Sequence, residues 1–244
     1  NIKQAILLKF FDERTGRFDN GTQSAQAFGL WFGLVAGKER EKAFQVLLND
    51  IIQRGEHLST GIFGTKMMLD VLRTRDRNEV AYRIANQRDF PGWGYMIARG
   101  ATTLWETWAY SDNVYSQNHP MFGSVNEWFY RSLLGINAGA PGFEKIIIKP
   151  QPADGLVYAK GSYLSVRGPI VSNWRINGQR FRLEVEIPAN TTAEIWVPIS
   201  KDGHITESGR PIAQVSGLKL LKTENNYAVV ETGSGKYYFE TGYH

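Results

Sequence analysis

The feature that most constrains this chain is a change of hydrophobic period near residue 138. Before it, apolar residues recur at helical spacing, as in Ala25, Phe28, Gly29 and Phe32, then Ala43, Val46, Leu47 and Ile51, then Met67, Met68, Val71 and Leu72. Beyond it the pattern alternates, as in Phe181-Arg182-Leu183-Glu184-Val185-Glu186-Ile187. A helical period buries one stripe of a helix and a two-residue period buries one face of a strand, so neither stretch can adopt the other's structure. The breaker cluster from Asn137 to Gly142 separates them. Two units follow: residues 1–137 helical, and residues 138–244 an antiparallel β-sandwich.

In the first unit, Thr15-Gly16, Asp19-Asn20-Gly21, Gly55, Thr60-Gly61 and Pro91-Gly92 read as joints between antiparallel helical hairpins. Thr22 and Asp76 are expected N-caps, because their side-chain oxygens can accept from first-turn amides. In the second unit, strands are expected at Ile146-Ile147-Ile148, Val157-Tyr158-Ala159, Ile170 to Trp174, Phe181 to Ile187, Ala193 to Val197, Gln214-Val215, Tyr227 to Val230 and Lys236 to Phe239. Asn177-Gly178 reads as a tight hairpin of the primed-turn type. Trp174 and Trp196 are expected in the sandwich core, and the sandwich itself as a structural cover.

Composition narrows the functions. Hydrophobic residues make up 42% and charged residues 21%, the proportions of a folded domain. The net charge of +4 is spread along the chain without a basic stripe, which argues against nucleic acid or an anionic membrane surface as partner. No apolar run approaches the roughly 20 residues that span a bilayer. The chain has no cysteine and its four histidines are far apart, so no metal site is expected. No nucleotide-cofactor fingerprint or nucleophile elbow is present, and no cofactor is expected. The run from Asn1 straight into helical spacing, with none of the regions of a signal peptide, leads us to expect a start inside a larger protein.

Chemistry concentrates between Phe90 and Tyr130, where Trp93, Tyr95, Trp105, Trp108, Tyr110, Tyr115, His119, Trp128 and Tyr130 cluster. From Thr107 to Pro120 helical periodicity lapses, and a long irregular loop over a helical scaffold is where binding residues gather. Aromatic rings beside polar groups suit the apolar faces and hydroxyls of sugars; taken singly, each ring reads equally well as helix packing. Glu106, flanked by Trp105 and Trp108, has a setting that can desolvate a carboxylate and raise its proton affinity. His119 stands between Asn118 and Pro120, placed to donate to a ligand hydroxyl. Glu127 is a rival carboxylate, but its spacing from Tyr130 and Arg131 suits a helix surface or an ion pair.

Trp93-Gly94-Tyr95-Met96-Ile97-Ala98-Arg99-Gly100, Ala101-Thr102-Thr103-Leu104-Trp105-Glu106-Thr107-Trp108, Asn118-His119 and Phe122 to Trp128 together resemble the C-terminal catalytic segment of bacterial α-L-rhamnosidases. His57 to Thr65, Pro141-Gly142-Phe143, Ile146 to Pro152 and Pro188 to Thr192 extend the resemblance over nearly the whole chain. It implies a multidomain α+β architecture: a partial (α/α)6 barrel, about half its helices, followed by the sandwich. It implies hydrolysis of terminal α-L-rhamnosides with inversion, with Glu106 as general base, His119 binding rhamnose hydroxyls, and Trp93 and Trp105 walling the sugar site. The acidic motif that supplies the general acid in that family has no counterpart here, and the loop from Glu106 to His119 is shorter than in typical members. Asp112 is a weak local substitute for the acid.

The resemblance carries expectations about partners: rhamnose-containing glycosides or polysaccharides, a missing N-terminal part of the same protein, and self-association through apolar faces that a half-barrel leaves open. The resemblance implies a bacterial source and leaves the compartment, periplasm or cytoplasm, open. Two other readings stay open, a noncatalytic carbohydrate-binding module and a helical-barrel glycosidase for another sugar.

Overall fold

A computed structural model describes residues 1–110, 115–200 and 203–243; Asp112 and His244 lie outside them. Residues cluster into two compact units, Asn1–Trp128 and Phe129–His244.

The first unit is helical: α1 (Ile2–Phe10), α2 (Gln23–Trp31), α3 (Gly37–Gln53), α4 (Ile62–Thr74), α5 (Asn78–Ala85), α6 (Trp93–Ala98) and α7 (Val125–Trp128), with a small ribbon of β1 (Phe11–Asp12) and β2 (Arg17–Phe18) after α1. Stripe residues form the core in α3 and α4, where Leu47, Ile51, Met68 and Leu72 are buried with Leu69 and, on α5, Val80 and Ile84. In α2 the expected stripe is corrected: Ala27, Gly29 and Leu30 face inward while Phe28 and Phe32 are exposed, because the buried amides of Gln23 and Gln26 fix that side of the helix inward. Thr22 caps α2 by accepting from the Ala25 amide at 3.3 Å. Asp76 does not cap α5; Arg77 holds the N-cap position. The turn out of α4 needs a left-handed residue, and Asp76 fills it at φ 52°, a conformation a short polar side chain tolerates.

Two buried glutamines brace this unit. Gln26 accepts from the Phe18 amide at 2.5 Å and donates to the carbonyls of Gly16 and Ala43 at 3.0 and 2.9 Å. Gln23 donates to the His57 carbonyl at 3.1 Å and accepts from the Ser59 amide at 2.7 Å. Burying an amide is costly unless its donors and acceptors are met, and here the bonds tie α2 to β2, to α3 and to the loops at Gly16 and His57–Ser59. On α1, by contrast, no residue is buried, and Leu8 is 89% exposed. A hollow of about 700 Å³ lined by Leu7, Leu8, Phe11, Leu34 and Val35 opens beside it.

The second unit opens with a π turn (Phe129–Leu133) and contains β3 (Ile136–Ala138), β4 (Lys145–Ile148), β5 (Tyr158–Ser165), β6 (Gly168–Asn177), β7 (Arg180–Ile187), β8 (Thr192–Pro198), β9 (Ile205–Glu207), β10 (Arg210–Pro211), β11 (Lys219–Glu224), β12 (Tyr227–Thr232) and β13 (Gly235–Gly242). They form a six-stranded sheet, β10-β9-β13-β7-β6-β5, and a five-stranded one, β11-β12-β8-β4-β3. Pairing is antiparallel except between β4 and β8, which run parallel. Alternate residues of both sheets share one core, including Ile146, Ile148, Ile195 and Val230 from one and Trp174, Phe181, Leu183 and Phe239 from the other. The β6–β7 hairpin turns at Gly178-Gln179, with Gly178 at φ 57° and Asn177 paired to Arg180, so the primed turn sits one residue later than Asn177-Gly178.

Two expectations are corrected. Gln214-Val215 is no strand: residues Ile212–Gln214 form a 3-10 turn. Trp174 is buried with its indole N–H donated to the Leu133 carbonyl at 2.6 Å, but Trp196 is on the opposite side of β8 from core residues Ile195 and Val197, half-buried beneath the ammonium groups of Lys149 and Lys222, each 5.0 Å from its ring centroid. Alternation gives an aromatic residue no mark of which face it takes when lysine stems can cover it.

Gly135 has φ 77°, and a Cβ there would lie 2.1 Å from the Lys149 carbonyl carbon and 2.2 Å from the Pro150 nitrogen. Gly135→Ala combines a left-handed penalty with a backbone clash and should destabilise this unit by at least about 2 kcal/mol, read as a lower urea midpoint; an unchanged midpoint would refute the packing described.

Candidate active site

The aromatic-rich segment is built on one buried indole. Trp108 donates its N–H to the Thr60 carbonyl at 2.7 Å. Its ring stacks on Phe122 with centroids 3.7 Å apart and receives the edge of Trp93 at 5.0 Å. Trp93 in turn donates to the Phe122 carbonyl at 3.1 Å. Thr60 is fixed by a 2.7 Å hydroxyl contact with Thr65 at the start of α4, and its loop is the one Gln23 holds from α2. Trp93 is therefore 8% exposed and committed to packing. Trp105 is also buried, with Tyr110 packed edge-on at 5.2 Å, while Tyr110 and Tyr115 stand half-exposed.

Over this base two extended segments run side by side. The Glu106 amide donates to the Ser116 carbonyl at 2.9 Å and the His119 amide to the Leu104 carbonyl at 2.8 Å. The Thr103 hydroxyl donates to the Gln117 carbonyl. Residues separated by thirteen positions, Glu106 and His119, are thus brought onto adjacent strands of one loop. The Glu106 carboxylate is half-buried, and one oxygen accepts from the Ser116 amide at 3.0 Å. A carboxylate keeps further lone-pair sites after one such bond. His119 caps the 3-10 turn Pro120–Ser124, its Nδ1 accepting from the Met121 amide across a long 3.4 Å. That contact places the proton of the neutral ring on Nε2, where it can be donated.

The other ionisable groups of the region are engaged. Glu127 is ion-paired with Lys66, as its helical spacing suggests. Asp70 accepts from the Trp31 indole at 3.1 Å and from Arg73 at 2.7 Å. His57 bonds Asp89 through Nε2 at 2.8 Å, while its Nδ1 faces the carbonyls of Gly55 at 2.9 Å and Arg54 at 3.1 Å. Gln87 adds a bond to the Gly55 carbonyl at 3.1 Å. This clasp ties the loop before α4 to the turn before Trp93. Sequence reasoning did not pair His57 with Asp89, nor did it find Gln23: thirty-two positions separate the first pair, and a glutamine on a helix carries no mark of burial. Among the described residues no cluster of ligands could hold a metal ion.

What these features define is a unit of packed helices carrying an aromatic-rich loop, followed by a two-sheet sandwich. Comparison with known proteins places it further. Residues 1–133 match the bacterial alpha-L-rhamnosidase 6 hairpin glycosidase domain, and residues 135–210 the bacterial alpha-L-rhamnosidase C-terminal domain. The chain belongs to the bacterial α-L-rhamnosidase family. It is 34% identical over 232 residues to an alpha-L-rhamnosidase of Streptomyces avermitilis, an alignment taking in 92% of this chain and 22% of that protein. With an alpha-L-rhamnosidase of Alteromonas sp. (strain LOR) it shares 33% identity over 245 residues, 96% of this chain and 27% of the relative.

The crystal structure of the Streptomyces avermitilis alpha-L-rhamnosidase complexed with L-rhamnose superposes with a TM-score of 0.90 at 33% identity, covering 98% of this chain and 23% of that one. The alpha-L-rhamnosidase from Dictyoglumus thermophilum superposes at 0.89 with 37% identity, covering 98% and 28%. The chain thus spans about a quarter of the length of these relatives.

The Asp89 hydrogen bond raises the His57 pKa above its ordinary 6.5, and His57 in turn holds Asp89 below its ordinary 3.8. A raised histidine contributes its stability below 6.5 and loses it as pH rises through its folded value. A lowered carboxylate contributes above 3.8 and loses it as pH falls through its own. The clasp should therefore be at full strength between 3.8 and 6.5. In an NMR titration Asp89→Asn should bring the His57 midpoint back down, and the melting-temperature gap between wild type and variant should be widest inside that window and shrink above it. A gap that grows above pH 8 would contradict the pairing.

Proposed function

We propose that residues 1–137 form the C-terminal portion of the catalytic (α/α)6 barrel, and residues 138–244 the C-terminal sandwich, of an enzyme that hydrolyses terminal α-L-rhamnosides with inversion. The observation that carries this reading is Glu106, half-buried on a loop over the tryptophan base, oriented by the Ser116 amide and running beside His119. In an inverting mechanism one carboxylate deprotonates a water while a carboxylic acid roughly 6.5–9.5 Å away protonates the leaving oxygen. Glu106 is the base. The Ser116 amide engages one oxygen and leaves acceptor sites for water, which suits that role. His119 donates from Nε2 to a rhamnose hydroxyl, and the buried Trp105 and Trp93 support the sugar site from beneath.

The general acid belongs to the part of the barrel that the relatives carry beyond the aligned quarter. Two observations support this. The neighbouring carboxylates Asp70, Asp89 and Glu127 are occupied by cationic or indole partners. The apolar side chains of α1 and the hollow beside it are open, as expected of a barrel whose remaining helices pack there. Substrates are rhamnose-containing glycosides or polysaccharides; without the rest of the barrel, self-association through the same apolar surface is expected.

In the longer protein, Glu106→Gln should preserve folding, since the amide oxygen can still accept from Ser116, and should lower kcat by about 10²–10⁴-fold; kcat within about threefold of wild type would reject the assignment. The 244-residue chain alone should turn over an aryl α-L-rhamnoside at least about a hundredfold more slowly than the longer protein. Comparable turnover would place the acid within this chain.

A further inference from the structure

The outward face of the six-stranded sheet carries charges that its own neighbours leave unanswered. Arg175 of β6 stands directly opposite Arg182 of β7, and like charges in a cross-strand pair are unfavourable. Arg182 is compensated by Glu240, donating to it at 2.6 Å, and Arg180 engages the same carboxylate at 3.1 Å. Arg175 instead lays its guanidinium over the Tyr158 ring, 5.5 Å from the centroid. Among the described residues neither Arg175 nor Lys160 on the adjoining β5 forms an ion pair with a carboxylate. Both are exposed and line a hollow of about 540 Å³ together with Asn173, Glu184 and Tyr238.

This face is not made to be covered by an apolar surface, because burying unpaired cations is costly. Its chemistry suits a hydroxylated ring bearing one negative charge. Tyr238, half-exposed, offers a flat apolar face. Asn173 donates to Glu184 at 3.3 Å, and the pair retains an amide donor and carboxylate lone pairs for neighbouring hydroxyls. Arg175 and Lys160 provide the cations for a carboxylate. The carboxylates of Glu184 and Glu240 in the same hollow disfavour a dense polyanion such as nucleic acid, which repels them at each phosphate. We propose that this hollow is a noncatalytic binding site for a uronic-acid-bearing saccharide, its carboxylate taken by Arg175 and Lys160 and a ring set against Tyr238. The inference is independent of the role of Glu106.

Calorimetry on the whole chain with methyl galacturonoside, a monoanion, and with its methyl ester tests it. The acid should bind, with the ester at least about tenfold weaker. Arg175→Ala and Tyr238→Ala, both at exposed positions, should each weaken the acid by about tenfold, with circular dichroism unchanged. Lys222→Ala removes the same charge from the other sheet and should alter affinity less than about twofold. Absence of binding by the acid, equal binding by the ester, or a Lys222→Ala loss matching that of Arg175→Ala would overturn the proposal.

Discussion

The buried indole of Trp108 is the contact on which the helical unit's functional region depends. Its N–H reaches the Thr60 carbonyl, its face meets Phe122, and Trp93 abuts it edge-on. A loop without regular secondary structure has few ladder bonds of its own, so its geometry leans on such anchors. Each anchor leads back to a helix: Thr60 to α4 through Thr65, the preceding residues to α2 through Gln23, and Trp93 to the start of α6. Glu106 and His119 gain fixed positions because the strands that carry them rest on a rigid floor. Catalytic groups need that rigidity more than they need an unusual local environment.

The two units solve burial differently. In the sandwich, side chains from both sheets close a single core in which Ile146, Ile148, Ile195 and Val197 are fully buried. The helical unit has a well-packed centre around Met68 and Leu72 but leaves α1 without a buried residue. A helix whose apolar side chains face water gains little from folding by itself. The open side agrees with a chain that spans about a quarter of its relatives' length, and with the proposal that the catalytic pair is divided between this segment and the remainder of a barrel.

Much of this was legible in the residues because period is dictated by geometry. The helices at 37–53 and 62–74, the strands of the hairpin around Gly178, and the core position of Trp174 all follow from which positions must face inward; the helix at 23–31 was legible, but buried Gln23 and Gln26, not Phe28 and Phe32, mark its inward face. The failures have local causes. Asp76 carries a capping side chain, yet the turn's need for a left-handed residue decided its place. Trp196 turns outward because two lysines cover it, and no alternation rule sees a cover supplied from Lys149 and Lys222. The parallel pairing of β4 with β8 depends on a crossover between segments far apart in the chain. Glu106 and His119 are proposed as members of a motif, whereas the supports of their loop, Gln23, Thr60 and the His57–Asp89 clasp, are long-range contacts with no spacing to betray them.

The proposed role of Glu106, to activate water, is isolated by chemical rescue. Azide is an anionic nucleophile that needs no proton removed, so in Glu106→Ala of the longer protein it should restore rhamnoside cleavage and yield a glycosyl azide of inverted configuration, detectable by proton NMR. Rescue with inversion is the predicted result. Undiminished hydrolysis by the variant without azide, or an azide adduct of retained configuration, would contradict it.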